Sequence, residues 1–321
     1  MNLDQIIGQK ALVNQLKIII ASNRTGHAYA FSGPSGMGKR TIALAYAKAL
    51  LCAGCKPGSV CLPCRTFLEG TNPDFYEVAT DKQSIGVDSI RAMQEDMANR
   101  PTYGNRKVYF IDNAQQMTIQ AQNCLLKTLE EPPEYAVILM SVTSFDALLP
   151  TVRSRTVNLR LNPYSDDEML QILQPIYTLD KNEWDFIIRF SRGIPGNAIH
   201  LIEEGSVRDL RQLVFKLLEK PDDIQLAEEV RKTLSESKTD LPIVLDILLS
   251  IYRDCMMVLE GMENRLINSD KKDMIIWIAS KISKRKLLDK AKAMEEIRRS
   301  FEMNINHQLG VDVLLMEIQE V

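Results

Sequence analysis

Short runs in which nearly every position is apolar alternate along the first half of the chain with longer segments whose apolar residues recur every three or four positions. AYAFS (28–32), KVYFID (107–112) and AVILMSV (136–142) are of the first kind and read as strands buried on both faces. DFYEVAT (74–80) reads as a further strand, and the alternating TVNLRL (156–161) as a fifth. The helical patterns between them comprise Leu12, Leu16, Ile19 and Ile20 within 1–26, then TIALAYAKALL (41–51), VDSIRAMQEDMAN (87–99) and TIQAQNCLLKTLEE (118–131). Pro132-Pro133 stops the last of these. Strands alternating with helices predict a parallel sheet covered on both faces.

After Asn162-Pro163 the strand signals cease. The Ser-Asp-Asp-Glu cluster at 165–168 suits a helix N-terminus, where a hydroxyl can cap and acids meet the positive end of the dipole. From there the pattern is helical, interrupted by GIPGN (193–197). The expected organisation is an α/β domain over 1–162, a small helical domain over 163–205 and an all-helical domain over 206–321.

Composition changes this picture little. Of 321 residues, 45% are hydrophobic and 25% charged, which suits a globular protein with a real core and excludes a disordered or collagen-like chain. The net charge of −3 gives no bulk attraction for nucleic acid, so such contact would need a local basic patch. KISKRKLLDKAK (281–292) is the candidate, and it reads as a solvated helix face rather than a phosphate-backbone contact. The first ten residues lack a basic stretch followed by an apolar one, and the longest apolar runs are too short to span a bilayer. No membrane association and a cytoplasmic location are expected.

Two features carry chemistry. Cys52, Cys55, Cys61 and Cys64 form C-x2-C-x5-C-x2-C, two thiolate pairs that can converge as a tetrahedron around structural Zn²⁺. An iron–sulfur cluster or a redox dithiol is the alternative, although nothing nearby suggests electron transfer. The short spacer predicts little more than a loop held by its metal. Cys124 and Cys255 stand alone in helical patterns and read as small buried apolar residues. His27, His200 and His307 are too dispersed for a metal site or a catalytic base.

The second feature is GPSGMGKR (33–40), which places Gly33, Gly36, Gly38 and Lys39 between a strand and a helix, as a phosphate-binding loop requires. Asp112 at the end of VYFID suits the acid that stands near Mg²⁺. Two positions depart from a working nucleotidase. Arg40 stands where a Ser or Thr hydroxyl would ligate Mg²⁺, and Thr41 lies about 100° further round the helix. Asn113 follows Asp112 where hydrolysing relatives carry a glutamate, and an amide cannot act as a base. A degenerate nucleotide site kept as scaffold is expected, with bound nucleotide or Mg²⁺ in doubt.

In order and combination these residues resemble the AAA+ clamp-loader subunits of bacterial DNA polymerase III. IIGQ (6–9), HAYAF (27–31), the cysteine insertion and QNCLLKTLEEPP (122–133) resemble that family's segments, with Cys124 in place of an alanine. Thr143 falls at the sensor-1 position, SRT (154–156) resembles a Ser-Arg-Cys motif with Thr156 departing, and NINHQLGVDVLLMEI (304–318) resembles the final collar helix. The resemblance implies a P-loop AAA+ domain with a zinc module, a lid and a helical collar for oligomerisation. It also implies a complex with gamma/tau motor subunits and a delta subunit, acting through the complex on the sliding clamp and primed DNA. Arg155 would then be an arginine finger reaching a neighbour's nucleotide. Arg40, Asn113 and Gly196, which stands where the motor has a sensor-2 arginine, imply a non-hydrolysing member. An active ATPase motor of the same fold, and a stand-alone DNA-binding protein, are the competing readings.

Overall fold

The computed structural model describes residues 2–22, 24–52, 54–55, 60–78, 84–237, 240–302 and 307–319. By Cα proximity the chain forms two compact units. The first is Met1–Pro175 with Gly193–Gly196, and the second is Ile176–Arg192 with Asn197–Val321.

The first unit contains α1 (Lys10–Ala21), β1 (Ala28–Ser32), α2 (Lys39–Leu51), α3 (Leu62–Leu68), β2 (Phe75–Glu77), α4 (Val87–Asp96), β3 (Lys107–Ile111), α5 (Ile119–Glu130), β4 (Ala136–Val142), α6 (Pro150–Arg153), β5 (Val157–Arg160) and α7 (Asp166–Leu173). The five strands form one parallel sheet in the order β2-β3-β4-β1-β5. β1, β3 and β4 are buried at every position, which is why their sequences are apolar runs rather than alternations. β5 lies at an edge and buries only Leu159, which accounts for its alternating sequence. The register aligns Ser32 with Val142, and Ile111 with Met140, so the ends of β1, β3 and β4 lie side by side.

Helix ends follow local chemistry. The Thr118 hydroxyl caps α5 by accepting from the Ala121 N–H. Ser165 and Glu168 form a reciprocal capping box at the start of α7, at the acidic cluster read from the sequence. Several expected elements are shorter here. The helix at 87–99 ends at Asp96, and the strand at 74–80 comprises Phe75–Glu77, with Ala79 and Thr80 outside the described residues. At the strand's start, the buried Asp74 carboxylate instead accepts the Thr102 and Tyr103 N–H groups and anchors the loop before β3.

The second unit is helical: α8 (Lys181–Phe190), α9 (Pro195–Glu204, whose first residues belong to the first unit), α10 (Ser206–Glu219), α11 (Ile224–Glu236), α12 (Asp240–Leu259), α13 (Lys272–Lys281), α14 (Lys284–Glu302) and α15 (His307–Gln319). Residues 304–306 of the collar-like segment lie outside the described residues. α12 is buried on most of its surface and forms the centre of a separate hydrophobic core with Val214, Leu218, Ile275, Met294 and Leu314. Cys255 is fully buried in that core, whereas Cys124 is only partly buried. Among the described residues, no helix is long and apolar enough to cross a membrane.

Candidate functional site

The glycine loop leaves the end of β1 and closes on the N-terminus of α2. Gly36 and Gly38 have φ of 77° and 82°, conformations in which a side chain is strained, so the loop can turn tightly with its backbone on the inside. Lys39 is buried, and its ammonium donates to the Gly33 carbonyl at 2.8 Å and the Pro34 carbonyl at 2.7 Å. Burial pushes its pKa below the ordinary lysine value, partly opposed by the Asp112 charge. Tyr164 lies against the loop, its hydroxyl 3.4 Å from the Met37 carbonyl oxygen.

Asp112 projects from the end of β3 and is fully engaged. Its Oδ1 accepts from the Ser141 hydroxyl and, at 3.1 Å, from the Asn113 N–H, and its Oδ2 faces Arg40 Nη1 at 3.1 Å. The Arg40 guanidinium is also bidentate to Glu77, with Nη1 on Oε1 and Nη2 2.9 Å from Oε2, and sits 5.4 Å from the centre of the Phe110 ring. The Glu77 hydrogen bond holds the Arg40 pKa above its ordinary value. Asn113 is left-handed, with φ of 50°, a conformation Asn tolerates. Its amide oxygen accepts from Gln115, whose own oxygen accepts the Thr143 N–H at 3.3 Å. The structure thus brings Lys39, Arg40, Asp112, Asn113 and Thr143 to one end of the sheet.

Gly196 meets the loop from the segment after α8. Its N–H donates to the Gly36 carbonyl at 2.9 Å, and a Cβ built there would lie 2.4 Å from the Gly36 Cα. No side chain fits at this position while the two backbones touch.

Arg155 follows α6, with its side chain 36% exposed. Nη2 is 2.8 Å from Glu130 Oε1, and Nη1 donates to the Thr151 carbonyl at 3.0 Å and the Ser154 hydroxyl at 3.1 Å.

At the cysteine cluster, the four Sγ atoms lie within 4.8 Å of one another. Separations of 3.4 Å for Cys52–Cys55, 3.7 Å for Cys55–Cys64 and 4.0 Å for Cys52–Cys61 bracket the ~3.8 Å edge of a tetrahedron with ~2.3 Å metal–sulfur bonds. The Cys55 N–H points at Cys52 Sγ and the Cys61 N–H at Cys55 Sγ, which fixes the orientation of these two sulfurs. The donor set fits a metal ion. One expectation is corrected: the second cysteine pair is not in a loop, because Cys61 immediately precedes α3 and Cys64 lies inside it, with Pro63 in its first turn. Burial pushes the Cys64 thiol pKa up, so a cation is needed for four thiolates to coexist there.

Sequence reading missed Glu77, Ser141, Gln115 and Glu130. Ser141 carried a signal, as a buried hydroxyl inside an otherwise apolar strand, and such a group needs a partner. The others meet their partners only through the fold.

A glycine loop between β1 and α2, an acid ending β3 and the order β2-β3-β4-β1-β5 define an AAA+-type P-loop protein carrying a cysteine cluster and a helical C-terminal part. The family described as "DNA polymerase III, delta subunit" matches residues 8–165, and "DNA polymerase III, delta subunit, C terminal" matches 209–320. The delta′ subunit of DNA polymerase III from Bacillus subtilis is 29% identical over 94% of this chain and 93% of that protein. The DNA polymerase III gamma subunit from Buchnera aphidicola is 31% identical over 62% of this chain, which spans 57% of that protein. A DNA polymerase III gamma subunit-related protein from Thermotoga maritima shares the fold, with a TM-score of 0.51 at 19% identity, over 95% of this chain and 99% of that one. The chain belongs to the clamp-loader subunits of DNA polymerase III.

Proposed function

We propose that this chain is the non-hydrolysing, delta-prime type of subunit, and that it supplies Arg155 as an arginine finger to a neighbouring motor. The observation that carries the first half is the Arg40–Asp112 ion pair, which places a side-chain cation on the carboxylate a catalytic metal would use. Asn113 supports it, because its amide is engaged with Gln115 and has no basic lone pair to polarise water. Gly196 supports it further, since no sensor-2 arginine can stand there.

The partners in this reading are gamma/tau motors and a delta subunit, with the sliding clamp and primed DNA reached through the complex, in the cytoplasm. The cysteine module holds a structural zinc, and the chain is organised as an AAA+ domain over 1–162, a lid over 163–205 and a collar over 206–321. Arg155 suits its role because its guanidinium is planar, permanently charged and half-exposed beside a short helix.

Steady-state ATP hydrolysis by the isolated chain, with and without primed DNA, tests the first half. No turnover is expected; turnover that disappears with Lys39→Ala would place the chain among the motors. Arg155→Ala in the reconstituted complex tests the second half. Assembly should persist while DNA-stimulated hydrolysis falls at least tenfold, towards the ~10³–10⁵ that such fingers supply. Unchanged hydrolysis would remove the finger.

A further inference from the structure

Arg40, Glu77 and Asp112 form a closed charge group at the mouth of the phosphate loop. Two carboxylates share one guanidinium: Glu77 binds it through both oxygens, and Asp112 through Oδ2 at 3.1 Å. The remaining Asp112 oxygen already accepts from Ser141 and Asn113. With Lys39, two cations face two anions. A divalent ion such as Mg²⁺ must approach a carboxylate oxygen to ~2.1 Å with near-octahedral surroundings, and the guanidinium stands in that approach. The arginine is well held there, with the Phe110 ring beneath it and a planar fork that matches the Glu77 carboxylate.

We infer that Arg40 is the resident cation of this site: its guanidinium takes the divalent metal's place between Asp112 and Glu77 and makes the phosphate loop metal-independent. The inference rests on the non-hydrolysing reading and deepens it, because it assigns the loss of metal to occupation by a side chain and not merely to a missing hydroxyl. Glu77 is the residue that positions Arg40. Any anion the loop accepts would be bound without a metal, by Lys39, Arg40 and backbone N–H groups.

The test is Mn²⁺ binding to the zinc-loaded full-length chain, followed through loss of the free-Mn²⁺ electron paramagnetic resonance signal. Carboxylate oxygens suit Mn²⁺, and the soft thiolate cluster keeps its zinc. Arg40→Ala removes the guanidinium without supplying a hydroxyl and leaves Asp112 and Glu77 facing each other. It should bind Mn²⁺ at least about tenfold more tightly than the wild type, since ligand charge sets such affinities over decades. The gain should vanish in Arg40→Ala/Asp112→Asn, and Arg40→Lys, which keeps a positive charge, should stay as metal-free as the wild type. Arg40→Gln repeats the comparison if circular dichroism shows that Arg40→Ala does not fold. A folded variant with no gain overturns the inference, as does wild-type Mn²⁺ binding that Asp112→Asn abolishes. Failure of the inference is distinguishable from failure of the non-hydrolysing reading. Absent ATP turnover together with wild-type Mn²⁺ binding removes only the resident cation, whereas Lys39-dependent turnover removes the reading itself.

Discussion

A methyl group added at Gly196 would lie 2.4 Å from the Cα of Gly36 and 3.0 Å from its carbonyl oxygen, and both are backbone atoms of the phosphate loop. Unlike the end of a flexible side chain, these atoms cannot swing aside, so Gly196→Ala must part the two segments or strain them. Overpacking of this kind costs about 1–3 kcal/mol, and the hydrogen bond from the Gly196 N–H to the Gly36 carbonyl is lost with it. Urea unfolding should show that loss in Gly196→Ala, and Gly196→Arg should lose at least as much. An unchanged midpoint would mean that the loop yields freely. In the sequence, Gly196 is legible only as a missing arginine, because the close approach that forbids a side chain joins residues 160 positions apart. The same holds for Arg40. Its departure from the phosphate-loop pattern is visible in the sequence, but Glu77, its firmest partner, sits on a three-residue edge strand that announces nothing.

At the scale of elements, the cysteine module shows what spacing does and does not convey. C-x2-C pairs announce convergence, and the four sulfurs do lie within 4.8 Å. They do not announce that the second pair starts a helix, which follows from Pro63 in the first turn and from the apolar Leu62 and Phe67 beyond Cys61. α3 has only seven residues, too few to be stable without support, so its Cys64 anchor matters. Mass spectrometry of the purified chain should find one zinc per molecule, and Cys64→Ser should abolish it. Removing the metal with a chelator should open residues 52–68 to proteolysis while the sheet stays folded, because the core cluster that holds Ala30, Tyr109, Ile111, Ile138 and Met140 includes no residue of the module. Retained protection after removal of the metal would show that the module holds its shape by packing alone. The long apolar strands were legible for the opposite reason: burial on both faces writes itself directly into composition.

For the whole molecule, the division into two compact units means that two cores carry the chain, and the second core does not begin where the longest helical region begins. Phe186, on α8, is buried in it together with residues of α10 and α12. The Arg211 guanidinium lies 3.9 Å from the centre of the Phe186 ring while pairing with Asp270 through both nitrogens, at 2.9 Å and 2.5 Å. Arg189, one turn along α8, donates to the Leu266 carbonyl at 2.5 Å. These links tie residues 176–192 to a turn some eighty residues later, so the helical half draws part of its stability from a segment that precedes it in sequence. A fragment of residues 206–321 lacks Phe186, Phe190 and Arg189, and it exposes the apolar surface they cover. Loss of one buried phenylalanine costs about 3–5 kcal/mol. In urea, the 206–321 fragment should therefore unfold with at least that much less stability than a 176–321 fragment, with a smaller cooperative slope because less surface is buried. Phe186→Ala in the full chain should reproduce most of the difference. If the two fragments unfold alike and Phe186→Ala is silent, the α8 segment rests on the helical core without stabilising it.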